Sequence, residues 1–466
     1  MLRLFFGIAI CASLCCLPCL ALGGEAPPAA PTLEDLARKN ADLEKQVQEL
    51  RKIVDQLRVA PAEQPKGLQA EVDALKQAPA KPPVTSSVQV ELYGFIKLDA
   101  SYDTAHVRPG NYAYWVDSED TNRHDNQFNM TANETRIGLR LNGPKVGEEG
   151  NVKGVFEFDF YGGGPENKST PMLRQAYGMI EWPNYDFSVL AGQTWDIISP
   201  LAPNSLNYIV NGFTGNIGYR RPLVKLTQGV EVDEQTKLKL EGGVSRTMGD
   251  NPIFLKDDTT NKDDALKNTF KESGEDAGFP TAQGRVSVSF PCLTEKKTTI
   301  GISGHYGQEE FDTDNTGTAH TFDTWSGNID WDVPLTSAFG VKGEAYTGAN
   351  LDTYVGGIGY GINTKGAEST WREIESKGGW ICASLTPTGS PWEFNLGTGT
   401  EINDRNDLDG MAANTRKTNA NVFGNAIYNI NKAAQVGLEV SGWDTGYTNV
   451  ADGNAVRMES AFKYKF

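Results

Sequence analysis

Long hydrophobic runs are missing from most of this 466-residue chain. Beyond its N-terminus, no stretch approaches the roughly 20 consecutive apolar residues that a membrane-spanning helix needs. The sequence therefore argues against a helical membrane protein. Its length suits either several soluble domains or one large barrel.

Cysteine is scarce wherever a disulfide could form. Four of the six cysteines lie within the first 19 residues, and only Cys292 and Cys382 follow. These two fall on predicted strands that are far apart in the predicted order, so we expect no disulfide between them.

Positive charge and histidine are also in short supply. The formal net charge is −17, which argues against a nucleic-acid partner. No spacing among the four histidines suggests a catalytic triad, so we expect no enzymatic activity and no cofactor. The acidic segments 248–280 and 311–319 could bind divalent cations or could simply be solvated loops. They lack calcium-loop spacing, so we predict no metal site.

The N-terminus has the features of a secretory signal. Arg3 precedes an apolar stretch, and Ala21-Leu22-Gly23 offers small residues for cleavage, so residues 1–23 are the predicted signal peptide. Residues 60–87 are rich in proline and alanine and are expected to form a semi-rigid linker.

A heptad pattern lies between the signal and the linker, within residues 24–59. Apolar residues at the a and d positions predict a coiled coil that oligomerises, and Asn40 at an a position is expected to fix its register. The pattern does not settle the number of chains. The a positions are Leu33, Asn40, Val47 and Val54, and the d positions are Leu36, Leu43, Leu50 and Leu57.

The last eleven residues, 456–466, alternate strictly between apolar and polar side chains. Such a period of two indicates a strand with one face in an apolar environment. A chain that ends on an aromatic residue is typical of a strand that closes an outer-membrane barrel and contacts lipid. The alternative is a C-terminal strand of a soluble sandwich.

Similar alternation recurs along residues 88–466 and predicts sixteen strands. Short turns and long polar or glycine-rich loops alternate between them, which is the outer-membrane pattern. The fold class is thus an all-β transmembrane barrel with an N-terminal helical coiled coil, and both termini lie on the periplasmic side. The strands are expected near 88–102, 128–142, 151–161, 173–183, 185–196, 219–228, 236–247, 281–292, 296–311, 320–333, 338–350, 378–387, 392–403, 416–430, 433–447 and 454–466.

Basic residues on three strands are predicted to line the pore. A basic side chain facing lipid costs roughly 2–4 kcal/mol at the bilayer midplane, so we turn them inward. The fourth strand leaves two alternatives open, with either Ala176 and Ile180 or Tyr177 and Met179 facing lipid. Arg220 is expected at the rim. The predicted pore-lining residues are Arg136, Arg140, Arg174, Arg221 and Lys225.

The loop between the fifth and sixth strands is mostly apolar or small and carries no charge from 197 to 219. Apolar loops tend to fold against something, and here the barrel interior is available. We predict a constriction with a net positive potential that favours small anions. The alternative is that Glu91, Asp99, Glu157 and Asp159 neutralise the arginines. The constriction residues expected are Asp196, Asn204, Asn207 and Asn211.

Several segments resemble those of Gram-negative porins, namely T-R-I-G-L-R-L at 135–141, R-Q-A-Y-G at 174–178 and A-G-Q-T-W-D at 191–196. Together with Y-G-F-I-K-L-D-A at 93–100 and the run 192–203, they are similar to the DcaP-like porin family. The resemblance implies a coiled coil joined to a sixteen-stranded trimeric barrel and passive uptake of small organic acids. It also implies a basic ladder that includes Arg136 and Arg174. The acid-poor loop departs from that family.

Two functions follow as hypotheses. The first is an outer-membrane porin, a homotrimer surrounded by outer-membrane lipids, through which small and preferably anionic solutes diffuse. The second is a structural protein whose coiled coil tethers the membrane to the periplasm. Residues 33–57 would reach only about 40 Å at ~1.5 Å per residue, which makes a weak tether on its own.

Overall fold

The computed structural model describes residues 41–42, 44–49, 51–52, 88–122, 125–162, 169–249, 273–312 and 319–466. The chain divides into two units, 1–83 and 84–466. In the first unit the described residues are helical, and Val47 is exposed. The predicted signal peptide, the linker and the other seven heptad residues lie outside the described residues.

Helices in the described part of the second unit are single turns. They comprise α1 (Glu119–Asn122) and α2 (Ser273–Asp276), besides 3-10 turns in the loops. None of the helices described in the chain is both long and apolar enough to cross a membrane.

The second unit is a closed antiparallel barrel of sixteen strands, as predicted. Its first strand, β1 (Gln89–Asp103), pairs with its last, β21 (Gly453–Lys465), and so closes the sheet. Two shorter strands, β4 (Gln127–Thr131) and β5 (Arg136–Asn142), both pair with β1 and count as one interrupted strand. The barrel strands are β1 (Gln89–Asp103), β4 (Gln127–Thr131), β5 (Arg136–Asn142), β6 (Asn151–Asp159), β7 (Met172–Trp182), β8 (Phe187–Trp195), β9 (Arg220–Glu231), β10 (Lys237–Ser245), β11 (Thr281–Pro291), β12 (Lys297–Asp312), β13 (Ala319–Pro334), β14 (Phe339–Ala349), β17 (Glu375–Leu385), β18 (Trp392–Asn403), β19 (Arg416–Asn429), β20 (Ala434–Tyr447) and β21 (Gly453–Lys465). Two hairpins, β2 (Val107–Pro109) with β3 (Ala113–Val116) and β15 (Ile362–Asn363) with β16 (Arg372–Glu373), lie in loops.

The break between β4 and β5 is a feature that the sequence pattern did not predict. A turn closed by a hydrogen bond from the Thr135 N–H to the Ala132 carbonyl interrupts the strand. The turn brings Glu134 to Lys97, with which it forms a buried salt bridge. The strand is interrupted at the point where it supplies a partner for an inward-facing cation.

The alternation predicted for the last strand is confirmed. Val456, Met458 and Phe462 are exposed on the outside, whereas Arg457 and Glu459 are buried on the inside. The same division holds along β1, where Leu92, Ile96 and Leu98 are exposed but Lys97 and Asp99 are buried. The barrel therefore has an apolar exterior and a polar interior, the reverse of a soluble sandwich.

A β-bulge resolves the ambiguous facing of the fourth strand. The pairing of β6 with β7 shifts register between Glu157 and Phe158, which leaves Arg174 as the extra residue. Arg174 is buried beside Glu157, and Ala176 pairs with the exposed, outward-facing Phe156. Of the two alternatives, the strand thus adopts the one with Ala176 on the outside, because the bulge lets Arg174 also turn inward.

Three long loops fold into the barrel from one end: the first loop (104–126), the third loop (196–219) and the sixth loop (350–374). The first loop packs Val107 and Val116 against Trp443 of the wall. The third loop runs along the interior wall, as its apolar composition predicted. It is tied to the far wall by carboxylates, because Glu344 accepts the Leu201 N–H (2.9 Å) and Glu439 accepts the Leu206 N–H (2.7 Å).

Replacing Glu439 with alanine is expected to loosen the third loop. The substitution removes the acceptor of the buried Leu206 N–H and of the Ser205 hydroxyl, which lies 2.8 Å away. An unsatisfied buried donor costs about 1–3 kcal/mol, so the folded barrel should lose its heat resistance at a lower temperature in gel mobility assays. Glu149→Ala, in an exposed turn, is the matched control. Equal heat resistance of both variants would contradict the anchoring role.

Candidate functional site

All five predicted pore-lining cations lie on the inner side of the barrel, and each is close to a carboxylate. Arg174 is buried. Its guanidinium is 2.8 Å from Glu157 and 2.6 Å from Asp159, and it also donates to the Tyr208 hydroxyl (3.2 Å) of the third loop. It therefore holds wall and loop together and presents little charge to water.

Arg136 and Arg140 lie along β5 toward the short-turn end. The Arg136 Nε is 3.7 Å from Glu157, and Arg140 donates to Glu91 (3.0 Å). Both guanidinium groups also stack over rings of β1: Arg136 is 5.1 Å from the centre of Phe95, and Arg140 is 3.9 Å from that of Tyr93. Arg136 and Arg140 are partly exposed, so they remain accessible to solutes.

Arg221 and Lys225 lie on β9. Arg221 is fully buried, 2.8 Å from Asp196, whereas Lys225 is 3.5 Å from Glu241. Three of the acids that the alternative prediction paired with arginines do so: Glu91 with Arg140, and Glu157 and Asp159 with Arg174. Asp99 instead pairs with Lys97 (3.0 Å), a cation that the sequence analysis did not single out.

In two of these pairs the cation is more exposed to water than its acid, whereas Arg140 and Glu91 are both exposed. The Arg136 side chain is 24% exposed but that of Glu157 only 5%. Lys225 is likewise 24% exposed and its partner Glu241 only 7%. Lys239 is exposed beside the same buried Glu241. In these pairs the cation faces the water and the carboxylate lies behind it.

The predicted constriction residues hold the third loop in place. Asp196 accepts the Tyr219 N–H (2.9 Å), which closes the loop at its base. Asn204 accepts a hydrogen bond from Lys342 (2.8 Å), and Asn207 pairs with both backbone groups of Ala113 in the first loop. Asn211 accepts from Asn421 (2.8 Å). These amides bind wall and loop groups.

Arg220, which we expected at the rim, is buried and only 5% exposed. Its guanidinium is 5.0 Å from the centre of Trp195 and 4.9 Å from that of Tyr219, and these rings cover it. Among the buried arginines of the described residues, it is the one without a salt bridge. Aromatic rings, not a carboxylate, therefore contact this cation, and the paired Arg174 contacts the same Trp195 ring at 5.9 Å. The two adjacent arginines, Arg220 and Arg221, were the sequence feature that could have pointed to this buried cation.

Aromatic rings fill the space beside these two arginines. Tyr208 stacks on Tyr161 with 4.1 Å between ring centres, and both contact Tyr112. Burial raises the pKa of Tyr112 to about 12 and the pKa of Tyr208 above its usual value, so both hydroxyls stay protonated at neutral pH. The rings thus add hydrogen-bonding hydroxyls but no negative charge.

Within the described ranges, no group of three or more histidine, cysteine, aspartate or glutamate side chains could hold a metal ion. Cys292 and Cys382 are both free thiols.

Comparison with known proteins gives similarity in structure only. The sequence matches no protein-family model and no curated protein. Among solved structures, the outer membrane channel DcaP of Acinetobacter baumannii is similar to this chain with a TM-score of 0.61 and 16% identity, covering 82% of this chain and 98% of DcaP. The anion-selective porin of Comamonas acidovorans has a TM-score of 0.48 and 12% identity, covering 81% of this chain and all of that one.

OmpF of Salmonella typhi has a TM-score of 0.46 at 11% identity, covering 81% of this chain and 97% of that one. Of these three structures, DcaP is the one whose TM-score exceeds 0.5. The fold that the sequence resemblance implied is confirmed: this chain has the barrel fold of the DcaP outer membrane channel.

Proposed function

We propose that the protein is an outer-membrane porin through which small hydrophilic solutes diffuse passively, with small anions such as organic mono- and dicarboxylates preferred. The observation that carries the proposal is the closed barrel itself, apolar outside and charged inside. A polar interior in a barrel of sixteen strands suits a water-filled channel.

The preference for anions is supported by which charges reach the water. Arg136, Lys225 and Lys239 are more exposed than the acids they pair with. Glu344 and Glu439 accept hydrogen bonds from the third loop, which covers them. We therefore expect the potential to be positive where these cations line the pore.

Assembly and location are part of the same proposal. The heptads support an oligomer, the resemblance to DcaP-like porins supports a homotrimer, and the secretory signal and barrel support the outer membrane of a Gram-negative bacterium, with the coiled coil in the periplasm. The competing proposal, a structural tether, depends on the same coiled coil. The charged, aromatic-lined interior favours the porin, because a tether needs no such lining.

Loss of an accessible cation should reduce the chloride preference. Arg136→Glu and Lys225→Glu each reverse a charge that reaches water. Both variants are expected to shift the zero-current potential under a KCl gradient toward potassium. Arg405→Glu makes the same charge change in an exposed loop and should leave the potential unchanged. If the pore variants behave like this control, the anion preference is wrong.

Removal of residues 33–87 tests the porin against the tether. The first barrel strand, β1, begins at Gln89, so the deletion leaves every strand of the closed sheet in place. We expect the shortened protein to keep the single-channel conductance of the full chain in planar bilayers. Full-length protein that folds and inserts but never conducts would favour the tether instead.

A further inference from the structure

The third and sixth loops form one connected structure inside the barrel. The Phe213 N–H donates to the Val355 carbonyl (3.0 Å), and the Gly218 N–H donates to the Tyr354 carbonyl (2.7 Å). Ile198 and Ile217 of the third loop pack against Leu351 and Tyr354 of the sixth. The path of the third loop therefore depends on a loop that is about 150 residues later in the sequence.

Tyr354 is the point at which the sixth loop is fixed to the wall. Its ring stacks on His305 of β12 with 4.0 Å between centres, and the Arg221 guanidinium lies 3.8 Å from the ring centre. Arg221 in turn donates to the Thr353 carbonyl and pairs with Asp196, the first residue of the third loop. Tyr354 has no exposed surface. One aromatic side chain thus joins two strands and both loops.

The backbone of both loops is strained where they meet. In the described residues, seven non-glycine residues have positive φ, and six of them lie in these loops: Val210, Asn211, Phe213, Asn350, Val355 and Ile358. Valine and isoleucine in this region are true outliers, because their branched Cβ crowds the backbone. Such conformations persist only where surrounding contacts hold them, and they cluster at functional elements.

We infer that the sixth loop is a second constriction element of the pore, and that Tyr354 is the positioning residue that holds both loops in their narrow conformation. The inference rests on the proposed porin function and extends it. The sequence analysis assigned the constriction to the third loop alone. Without the Tyr354 side chain, the strained segments lose the contact that holds them and relax toward a wider opening.

The test compares Tyr354→Ala with Tyr354→Phe in the full chain. The alanine variant removes both ring contacts and should raise single-channel conductance and admit larger sugars in liposome-swelling assays. The phenylalanine variant keeps a ring between His305 and Arg221 and should match the wild type. Ser369→Ala, exposed in the same loop, is the matched control and should also match it.

A second variant covers the case in which Tyr354→Ala fails to insert. His305→Ala removes the other ring of the stack and is expected to raise conductance in the same way. If both single variants insert, the double variant should conduct no more than either, because the two residues act through one contact. Heat-dependent gel mobility verifies that each variant is a folded barrel.

The outcomes separate this inference from the proposed function. A wild-type barrel that folds but does not conduct overturns the porin proposal. A conducting wild type whose Tyr354→Ala and His305→Ala variants keep its conductance and its size limit overturns the role of the sixth loop and leaves the porin proposal intact.

Discussion

The structure depends on one electrostatic constraint: charges that face the inside of a closed barrel need partners there. The buried pairs Lys97–Glu134, Arg174–Asp159 and Arg457–Asp103 join residues of different strands or of a strand and a loop. Burying one partner without the other would be strongly unfavourable. These pairs coincide with the irregular places in the sheet. Glu134 lies in the break between β4 and β5, and Arg174 lies in the bulge of β7.

The same constraint explains why the third loop carries no charge after Asp196. The third loop brings backbone N–H groups to wall carboxylates, as at Leu201 and Leu206. It thereby covers acids that would otherwise face the water. Cations such as Arg136 and Lys225 are left more accessible than their acidic partners.

The strands and their facing could be predicted because each depends on a local period of two, and the last strand, 456–466, is the clearest case. Side-chain partners could not be predicted in this way. The bulge at Arg174 breaks the alternation of inward and outward side chains. Arg220 is covered partly by Trp195 of the neighbouring strand, and Tyr354 contacts His305, more than 45 residues away in the sequence. Such features depend on strand register and loop packing, which local patterns do not encode.

The central claim is that the barrel conducts and that exposed cations decide which ions pass. The zero-current potential of the purified wild-type protein in a planar bilayer under a KCl gradient tests it most directly. The account predicts a potential of the sign that indicates chloride preference. A potential of the opposite sign would show that the interior carboxylates dominate the pore, and would contradict the arrangement of accessible cations in front of buried acids.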